Sequence, residues 1–396
     1  MACGARRARR DRREDGGRGR ADDAARVPGG RCMTQGLRVA WAPVGAGSAA
    51  ASPISPEAIA ELGATCLRLE VETWPKPGLV SAVDTGSHDD MDAGTFARSA
   101  AAIRPYLAEL AAAGAARAEM AVLRRIGLRA EHAMLAATGG VNTHRGAIFG
   151  LGLLCAAAGL RASGMPALRA PAPGASGTGA PALNASVSGA CAPGTYGVGA
   201  STSSASTAGG SFCGASVPGA FASGASPVGG SAPGGSPSGA VPTLGEIVAR
   251  QWGAEIVVGP RASDSHGEIA VRRHGVGGAR QEAASGFPSV YRIGLPALCE
   301  AQALRPGDAP AARVQACFAL IASVADTNLL HRGGAGGLAF AQRRARDFLA
   351  RGGIGAPDWL ARAEAVHRAF VVRRLSPGGA ADLLAMSLFA AASEAP

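Results

Sequence analysis

The stretch RGAIFGLGLLCAAAGLRA, residues 145–162, contains the longest apolar run of this 396-residue chain, from Ala147 to Leu160. Apolar residues occupy almost every position, so the pattern leaves no helical face for water. A helix that is apolar all round lies in a protein core or in a membrane. A run of about 14 residues is shorter than the ~20 that span a bilayer. We therefore predict that residues 145–162 form the central core helix of a soluble protein.

Three helices are predicted before this one, over residues 55–73, 95–115 and 118–140. The first begins with Ser55 as N-cap and Pro56 at the first helical position, followed by apolar residues three to four apart. Pro105 is expected to kink or break the second helix. The pair Gly139-Gly140 is typical of a helix C-cap and predicts the end of the third.

Helical spacing returns after residue 243 and continues almost to the end of the chain. Residues 246–275 allow two interpretations, a helix followed by a strand or a small hairpin. Further helices are predicted over residues 311–326, 336–353, 358–374 and 380–392. Because no strand–helix–strand pattern repeats, the predicted fold class is all-α, a helical bundle in two halves.

Two segments lack helical periodicity. Residues 1–52 are charged and then rich in Gly, Ala and Pro, and residues 165–243 consist largely of Gly, Ala, Ser and Pro. Such compositions bury too little apolar surface to offset their chain entropy. We predict that residues 1–52 form a disordered N-terminal extension. Residues 165–243 are predicted to form a disordered insertion, which separates the two halves of the catalytic core at 53–164 and 244–396.

Charge and cysteine content narrow the functional class. The net charge is +10, but ten Arg against five acidic residues in the first 31 positions supply half of it, so it is weak evidence for a nucleic-acid surface.

The eight cysteines form no CxxC pair, which favours the reduced thiols of a cytoplasmic protein. The N-terminus has no apolar stretch typical of a signal peptide. GxxxxGK[ST], GxSxG and HExxH motifs are absent, so common NTPase, hydrolase and zinc-protease mechanisms lack support.

Unusual polar residues concentrate at the ends of predicted helices. Helix starts expose backbone N–H groups and a positive dipole end, which favour phosphate, and glycine lets the backbone approach an anion closely. Five segments have this character: TWPKPGLV (73–80), GSHDDMD (86–92), TGGVNTHRG (138–146), ADTNLLHRGG (325–334) and RRLSPGG (373–379). We expect them to converge on one pocket.

Several of these segments also have a purely structural interpretation. WPKPG is either a rigid turn or a phosphate contact through Lys76, the chain's single lysine. Asp89, Asp90 and Asp92 repel one another, so they either form a solvated helix start or hold a divalent cation or act as a base.

The remaining polar residues leave similar alternatives open. The Asp326-x-Asn328 spacing suits either a helix cap or a ligand contact. Asp382 either caps a helix or faces the site, with equal weight. His132 and His367 lie within predicted helices and are interpreted as ordinary helix-face histidines.

Taken together, these motifs resemble the triphosphoribosyl-dephospho-CoA synthases, which make the precursor of a carrier-protein prosthetic group. The resemblance covers 53–164 and 244–393, and its wording is closer to the type that serves malonate decarboxylase than to the citrate lyase type. The N-terminal extension and the insertion depart from the family pattern. The motifs that carry the resemblance are PKPGLV (75–80), GSHDDMD (86–92), ATGGVNTHRGAIF (137–149), GGARQEAASGFPSVYRIGLPAL (277–298), DTNLLHRGG (326–334) and LSPGGAADLLA (375–385).

The resemblance implies a pentosyl transfer between ATP and 3'-dephospho-CoA. The 2'-hydroxyl of dephospho-CoA attacks the anomeric carbon of ATP, adenine departs, and the triphosphate stays on the transferred ribose. The product is destined for the malonate decarboxylase acyl carrier protein through a separate transferase, and no nucleic acid or membrane takes part. The site must supply a base, help the purine leave, hold cations, expected to be Mg²⁺, around the phosphates, and exclude water.

The resemblance also implies roles for residues in the matched motifs. Substrate and phosphate contacts are expected from Lys76, Asn142, Thr143, Arg145, Asn328, Arg332 and Ser376. Catalytic acids or bases are expected among His88, Asp89, Asp90 and His144, the histidines because they titrate near neutral pH. Ligands for Mg²⁺ are expected among Asp89, Asp90, Asp92 and Asp326.

Two other functions stay open from the residues alone. Paired acids, a divalent metal and a helical fold also suit an N-glycosidic hydrolase of nucleotides. The RRARRDRR tail (6–13) suits a non-catalytic basic binding module. The binding module is disfavoured because it leaves the five polar segments unexplained.

Overall fold

The computed structural model describes residues 54–164, 241–260 and 266–395. Within these ranges the chain forms twelve α-helices and no strands, which confirms the predicted all-α class. The extension over 1–52 and most of the insertion over 165–243 lie outside the described residues, so the predictions for them are untested.

Four helices precede the insertion and eight follow it. Their bounds are α1 Pro56–Glu72, α2 Ala93–Ala115, α3 Met120–Thr138, α4 Arg145–Ala162, α5 Leu244–Val258, α6 His266–His274, α7 Gly278–Ala284, α8 Leu295–Leu304, α9 Ala309–Ser323, α10 Thr327–Ala350, α11 Trp359–Val372 and α12 Gly378–Ser393. A π-helical turn over Val290–Gly294 leads into α8, and a short 3₁₀ turn over Gly353–Gly355 follows α10.

Local sequence signals correctly predicted where α1 begins and where α3 ends. The Ser55 hydroxyl accepts a hydrogen bond from the Ala58 N–H, and Pro56 is the first residue of α1. Gly139 ends α3 in the left-handed region, with φ of +68°. The expected break at Pro105 does not occur, because α2 continues through it with Ile103 and Leu107 fully buried on either side. Tertiary packing there outweighs the lost backbone hydrogen bond.

The strand or hairpin expected within 246–275 is wrong, since this region forms α5 and α6. Thr243 and Glu246 form a capping box at the start of α5. The β-branched residues 256–258 end α5, where Ile256 is buried while Val257 and Val258 are exposed. That alternation is also compatible with the last turn of an amphipathic helix.

Helix α4 is the centre of the core, as predicted. Every residue from Ala147 to Leu160 is buried except the half-buried Phe149. Length and composition alone would also let this helix cross a membrane, but 72% of it is buried inside the protein. Burial by neighbouring helices accounts for its apolar surface.

The second half of the chain packs directly on the first. Helix α12 lies against α4 and α1, and α9 lies against α10 and α12. One continuous apolar core therefore contains residues from both halves. The described ends on either side of the insertion are close together, because the Arg161 guanidinium donates to the Ser393 carbonyl at 2.6 Å and the Leu244 N–H donates to Glu394 Oε1 at 2.6 Å.

Candidate active site

The five polar segments meet around the stretch from Arg374 to Asp382. The Ser376 hydroxyl lies 2.8 Å from His88 Nε2, in segment 86–92. The Ala380 N–H donates to Asp326, in segment 325–334. Asp382 accepts a hydrogen bond from the Ala147 N–H, at the start of α4 beside segment 138–146. Backbone around residue 78 also lies against this stretch, since a Cβ on Gly78 would overlap the Leu375 carbonyl.

The side chains fall into two adjoining groups. We call the group whose members are mostly buried the inner cluster and the group nearer the surface the outer cluster. The inner cluster comprises Glu70, Lys76, His144, Asp326 and Asp382. The outer cluster comprises Ser87, His88, Asp89, Asp90, Arg332, Arg374 and Ser376.

Lys76 pairs with Glu70 inside the protein. Lys76 Nζ donates to Glu70 Oε1, and the two residues are only 1% and 5% exposed. The loop that carries Lys76 follows a cis peptide bond before Pro75 and contacts α11, where His367 Nδ1 lies 2.7 Å from the Lys76 carbonyl oxygen. The expected contact between Lys76 and phosphate is not favoured by this geometry, because the ammonium group is buried and already paired.

His144 is buried and has one ring nitrogen without a partner. Its Nδ1 lies 2.6 Å from the Ser99 hydroxyl, which accepts from the Thr143 hydroxyl at 2.7 Å. Ser99 then donates to Nδ1, which places the ring hydrogen on Nε2. That Nε2 is buried and has no hydrogen-bond partner within the part of the chain that the structure describes.

Burial, and then the positive charge of Lys76, lowers the pKa of His144 to about 3. The imidazole is therefore neutral at physiological pH, and its expected titration near neutrality is wrong. A buried neutral ring whose Nε2–H points at no protein group can donate a hydrogen bond to a ligand instead.

Asp326 caps two helices at once. Its Oδ1 accepts from the backbone N–H groups of Asn328 and Leu329 at the start of α10, at 2.8 and 3.1 Å. Its Oδ2 accepts from the Ala380 N–H at the start of α12, at 2.8 Å. Burial raises the pKa of the Asp326 carboxyl, and these backbone hydrogen bonds oppose that rise. The capping interpretation is correct for Asp326.

Asp382 faces the inner cluster rather than capping its own helix. It is the fifth residue of α12, and its carboxylate reaches across to the Ala147 N–H at the start of α4. It lies so close to Gly146 that a Cβ there would overlap a carboxylate oxygen. Burial, followed by the negative charges of Glu70 and Asp326, raises the pKa of Asp382 well above the ordinary carboxyl range.

Arg332 organises the outer cluster. Its Nη1 donates to the carbonyl oxygens of Ser87 and Arg374, both at 3.2 Å, and its Nη2 lies 3.2 Å from His88 Nδ1. A guanidinium only donates, so His88 Nδ1 accepts and His88 Nε2–H donates to the Ser376 hydroxyl at 2.8 Å. Burial and then the charge of Arg332 lower the pKa of His88, which keeps this arrangement intact at neutral pH.

Two exposed carboxylates border the outer cluster. Asp90 Oδ1 lies 3.5 Å from His88 Nδ1, and Asp89 Oδ2 lies 3.0 Å from Arg374 Nη2. Both aspartates are more than half exposed. They are thus free to meet a ligand that approaches from solvent.

The other expected site residues are near these clusters but make local contacts. The Asn142 side chain accepts from the Arg145 N–H at 3.2 Å, and the Arg145 guanidinium pairs with Glu131. The Asn328 amide lies against Gly378, where a Cβ would come within 2.6 Å of its nitrogen. Asn142 and Arg145 are exposed and Asn328 is half-buried, so all three stay open to a ligand.

The four aspartates expected to bind metal do not form one site. Asp92 is the N-cap of α2, where its carboxylate accepts from the Thr95 N–H at 2.7 Å, and Asp326 is committed to two helix starts. No group of three or more His, Cys, Asp or Glu side chains within the described ranges is arranged to hold a metal. Asp89 and Asp90 are the pair that stays available.

Several residues of the site were not anticipated from the sequence. Glu70 carries a readable signal, because it falls on the buried stripe of α1 with Ile59, Gly63 and Leu67. A carboxylate on such a stripe needs a buried partner. Ser99 and Arg374 give no comparable signal, since their roles depend on residues far away in the chain.

Comparisons with known proteins agree with the resemblance. The profile of the family described as ATP:dephospho-CoA triphosphoribosyl transferase matches residues 56–187 and 247–396. The chain is 31% identical over 329 residues to a probable 2-(5''-triphosphoribosyl)-3'-dephosphocoenzyme-A synthase of Acinetobacter calcoaceticus, covering 83% of this chain and 88% of that protein. It is 33% identical over 340 residues to a protein of the same description from Pseudomonas paraeruginosa, covering 84% and 89%. No solved structure matches the chain.

Proposed function

The chain belongs to the ATP:dephospho-CoA triphosphoribosyl transferase family and is an enzyme of that family, and on this premise we propose how its two clusters divide the reaction. The substrates are ATP and 3'-dephospho-CoA. A bond forms between the 2'-oxygen of dephospho-CoA and the anomeric carbon of ATP, and the bond from that carbon to adenine breaks. The observation that carries the proposal is the convergence of all five polar segments around residues 374–382.

The outer cluster is proposed to bind the triphosphate. The Arg332 guanidinium donates to the Arg374 carbonyl, and the positive charge of Arg374 is close enough to lower the pKa of Arg332. Guanidinium groups match phosphate oxygens in geometry and charge. Ser376 adds a hydroxyl whose orientation is set by His88. Arg145, Asn142, Thr143 and Asn328 belong to the converging segments, and we assign them to the ribose and remaining phosphate oxygens.

The donor set of the outer cluster fits Mg²⁺ brought in with the nucleotide. This ion usually binds one or two carboxylates, with substrate phosphates and waters completing its shell. Asp89 and Asp90 provide two exposed neighbouring carboxylates, whereas Asp92 and Asp326 are engaged as helix caps. When bound, the ion would neutralise charge on the triphosphate.

The inner cluster is proposed to act at the ribose. The neutral His144 ring offers its Nε2–H to a substrate oxygen, and Lys76 supplies a fixed positive charge from within the core. In the adjoining outer cluster, whichever of Asp89 and Asp90 does not bind the ion accepts the proton of the attacking hydroxyl. Because the inner cluster is buried, these charges act in a medium of low polarity, where they are stronger than in water.

Mass spectrometry of products tests the proposed reaction. Incubation with ATP and 3'-dephospho-CoA in Mg²⁺ is expected to yield adenine and the triphosphoribosyl adduct in equal amounts. Omission of dephospho-CoA is expected to abolish adenine release. Adenine formed at the same rate without the acceptor would contradict the proposal and identify a nucleotide hydrolase.

A pair of neighbouring variants tests the assignment of the metal ligands. Asp90→Asn is expected to raise the Mg²⁺ concentration needed for half-maximal rate by about tenfold or more, the loss typical of weakened ligation. Asp92→Asn is the matched control, since asparagine is also a good N-cap, and its Mg²⁺ dependence should equal that of wild type. Equal Mg²⁺ dependence in both variants and wild type would remove Asp90 from the metal site.

The product is proposed to serve the acyl carrier protein of malonate decarboxylase, in the cytoplasm. The wording of motifs such as GSHDDMDAGTFARSAAAIRPY (86–106) supports the malonate type over the citrate lyase type. A strain lacking the gene is then expected to lose growth on malonate and to keep growth on citrate. The opposite pattern would reassign the product to citrate lyase.

A further inference from the structure

Asp382 lies where the starts of three helices meet. It belongs to the first turns of α12, it accepts from the Ala147 N–H at the start of α4, and it lies beside Asp326, which caps α10. Glycine at position 146 is required for this approach, since any Cβ there would overlap the Asp382 carboxylate.

The backbone around Asp382 is only partly buried. Asp382 is half-buried as a residue, as are Gly146, Gly378 and Gly379, whereas Ser376 and Ala380 are buried. Gly146 lies directly against the Asp382 carboxylate. Glycine backbone of this kind allows a flat ligand to approach closely.

The charges around Asp382 do not balance. Three carboxyl groups, those of Glu70, Asp326 and Asp382, lie together with one ammonium group, that of Lys76, which is paired with Glu70. His144, close to Lys76, is neutral and adds no positive charge. Charge balance in a buried site of this kind favours a proton on one carboxyl group. Asp382 is the member that is half-buried as a residue and lacks the several helix-start N–H bonds of Asp326.

We propose that Asp382 is the catalytic acid that protonates the departing adenine. This assignment rests on the transfer reaction proposed above. It adds the group that the mechanism lacks, because His144 is neutral and Asp89 and Asp90 are exposed. Departure of a purine is slow unless a ring nitrogen is protonated as the bond to the sugar breaks.

Protons are neither gained nor lost in the proposed step. Asp382 gives its proton to a ring nitrogen of adenine as the bond between the anomeric carbon and adenine breaks. The 2'-hydroxyl loses its proton to Asp89 or Asp90 as the new carbon–oxygen bond forms, and that proton passes to water. Asp382 regains a proton from water after adenine leaves, so the net reaction moves one proton from the hydroxyl to adenine.

A change of leaving group tests this role. Asp382→Asn is expected to lower kcat with ATP by about 10²- to 10⁴-fold, the usual contribution of a general acid. With ribose 5-triphosphate carrying 4-nitrophenolate at the anomeric carbon, which leaves without protonation, the same variant should stay within about tenfold of wild type. Equal losses with both substrates would show a positioning role, and no loss with ATP would remove Asp382 from the reaction. Asp347→Asn, an exposed aspartate on α10, is the control and should match wild type with both.

The Tm of Asp382→Asn and the pH dependence of the wild-type rate distinguish a loss of folding from a loss of catalysis. Asparagine removes a carboxyl that burial makes costly to ionise, so the Tm of Asp382→Asn at pH 8 should equal or exceed that of wild type. In wild type, the rate with ATP should fall as pH rises and Asp382 loses its proton. The groups that face Asp382 and influence this titration are the charges of Glu70, Asp326 and Lys76 and the Ala147 N–H. The nitrophenyl substrate should not show this fall, and a shared fall would contradict the proposal. Absence of any transfer by wild type would instead contradict the proposed function itself.

Discussion

Individual side chains in this protein take their chemistry from burial. Lys76 stands out in the sequence as the single lysine, and in the structure its ammonium group pairs with Glu70. Breaking such a buried pair usually costs several kcal/mol, because the remaining charge is left uncompensated. A residue of this kind is therefore held in place by the fold as much as by the reaction.

The pKa of His144 leads to a prediction about stability against pH. This pKa is about 3 in the folded protein, compared with about 6.5 in an unfolded chain. The unfolded chain therefore binds the proton more readily, and the free energy of unfolding falls as pH drops from 6.5 towards 3. The free energy of unfolding falls by about 1.4 kcal/mol per pH unit, so the total loss approaches about 5 kcal/mol near pH 3.

Urea unfolding between pH 7 and 4 measures this effect. Asp326 and Asp382 have raised pKa values and contribute in the opposite direction, so the informative quantity is the difference between wild type and His144→Gln. The variant should lose less stability on acidification than wild type, by about 1 to 3 kcal/mol over this range. His132→Gln, at an exposed position of α3, should keep the slope of wild type. Parallel curves for all three proteins would mean that His144 is not held neutral.

At the scale of helices, the close approach of α2 and α4 sets the geometry of the core. Gly114 and Gly159 face the opposite backbone, so that a Cβ on either would overlap the carbonyl group of Ala156 or Ala111. This contact places the start of α4, and with it His144, against Ser99 on α2. The helix-helix distance and the site geometry are thus linked.

Substituting alanine at two glycines tests that link. Gly159→Ala is expected to destabilise the protein by about 1 to 3 kcal/mol through overpacking, or more if the backbone cannot shift. Gly127→Ala, inside α3 with open space around it, is the matched control and should stabilise by up to about 1 kcal/mol, because alanine favours helix. Urea unfolding reports both, and a neutral Gly159→Ala would show that the two helices are free to separate.

Predictions of helix ends succeeded where the signal was local. Ser55 and Gly139 act within a few residues of themselves, so their spacing alone shows their role. A local signal could also have corrected the prediction over 246–275, because the capping box formed by Thr243 and Glu246 is recognisable in the sequence. Short apolar β-branched runs such as residues 256–258 occur in buried helices as well as in strands, so they do not identify a strand by themselves.

At the scale of the whole molecule, two halves separated by a long segment share one core. The described helices before and after that segment are both held by the C-terminal end of α12, through Arg161 with Ser393 and Leu244 with Glu394. The chain therefore leaves and re-enters the bundle at neighbouring points. Such geometry is typical of a tolerated insertion.

Removal of the inserted segment tests this organisation. Replacing residues 169–240 by about six Gly and Ser residues should still bridge the gap, since each residue spans up to about 3.5 Å. The shorter closing loop is expected to raise the free energy of unfolding by about 2 kcal/mol, with the rate of adduct formation unchanged. A control of wild-type length with residues 169–240 in scrambled order should also keep full activity. Loss of activity in both proteins would show that this segment contributes to the enzyme.

The sequence by itself determined most of the helices, the caps at Ser55 and Gly139, the central position of α4 and the family. These depend on periodicity and on motifs that are contiguous in the chain. Only the tertiary structure decided which polar residues pair, which carboxyl groups have raised pKa values and which histidine is neutral. The reason is physical: a protonation state depends on burial and on charges within a few ångströms, and the neighbours of Asp382 come from Glu70, Ala147 and Asp326, which are far apart in the chain.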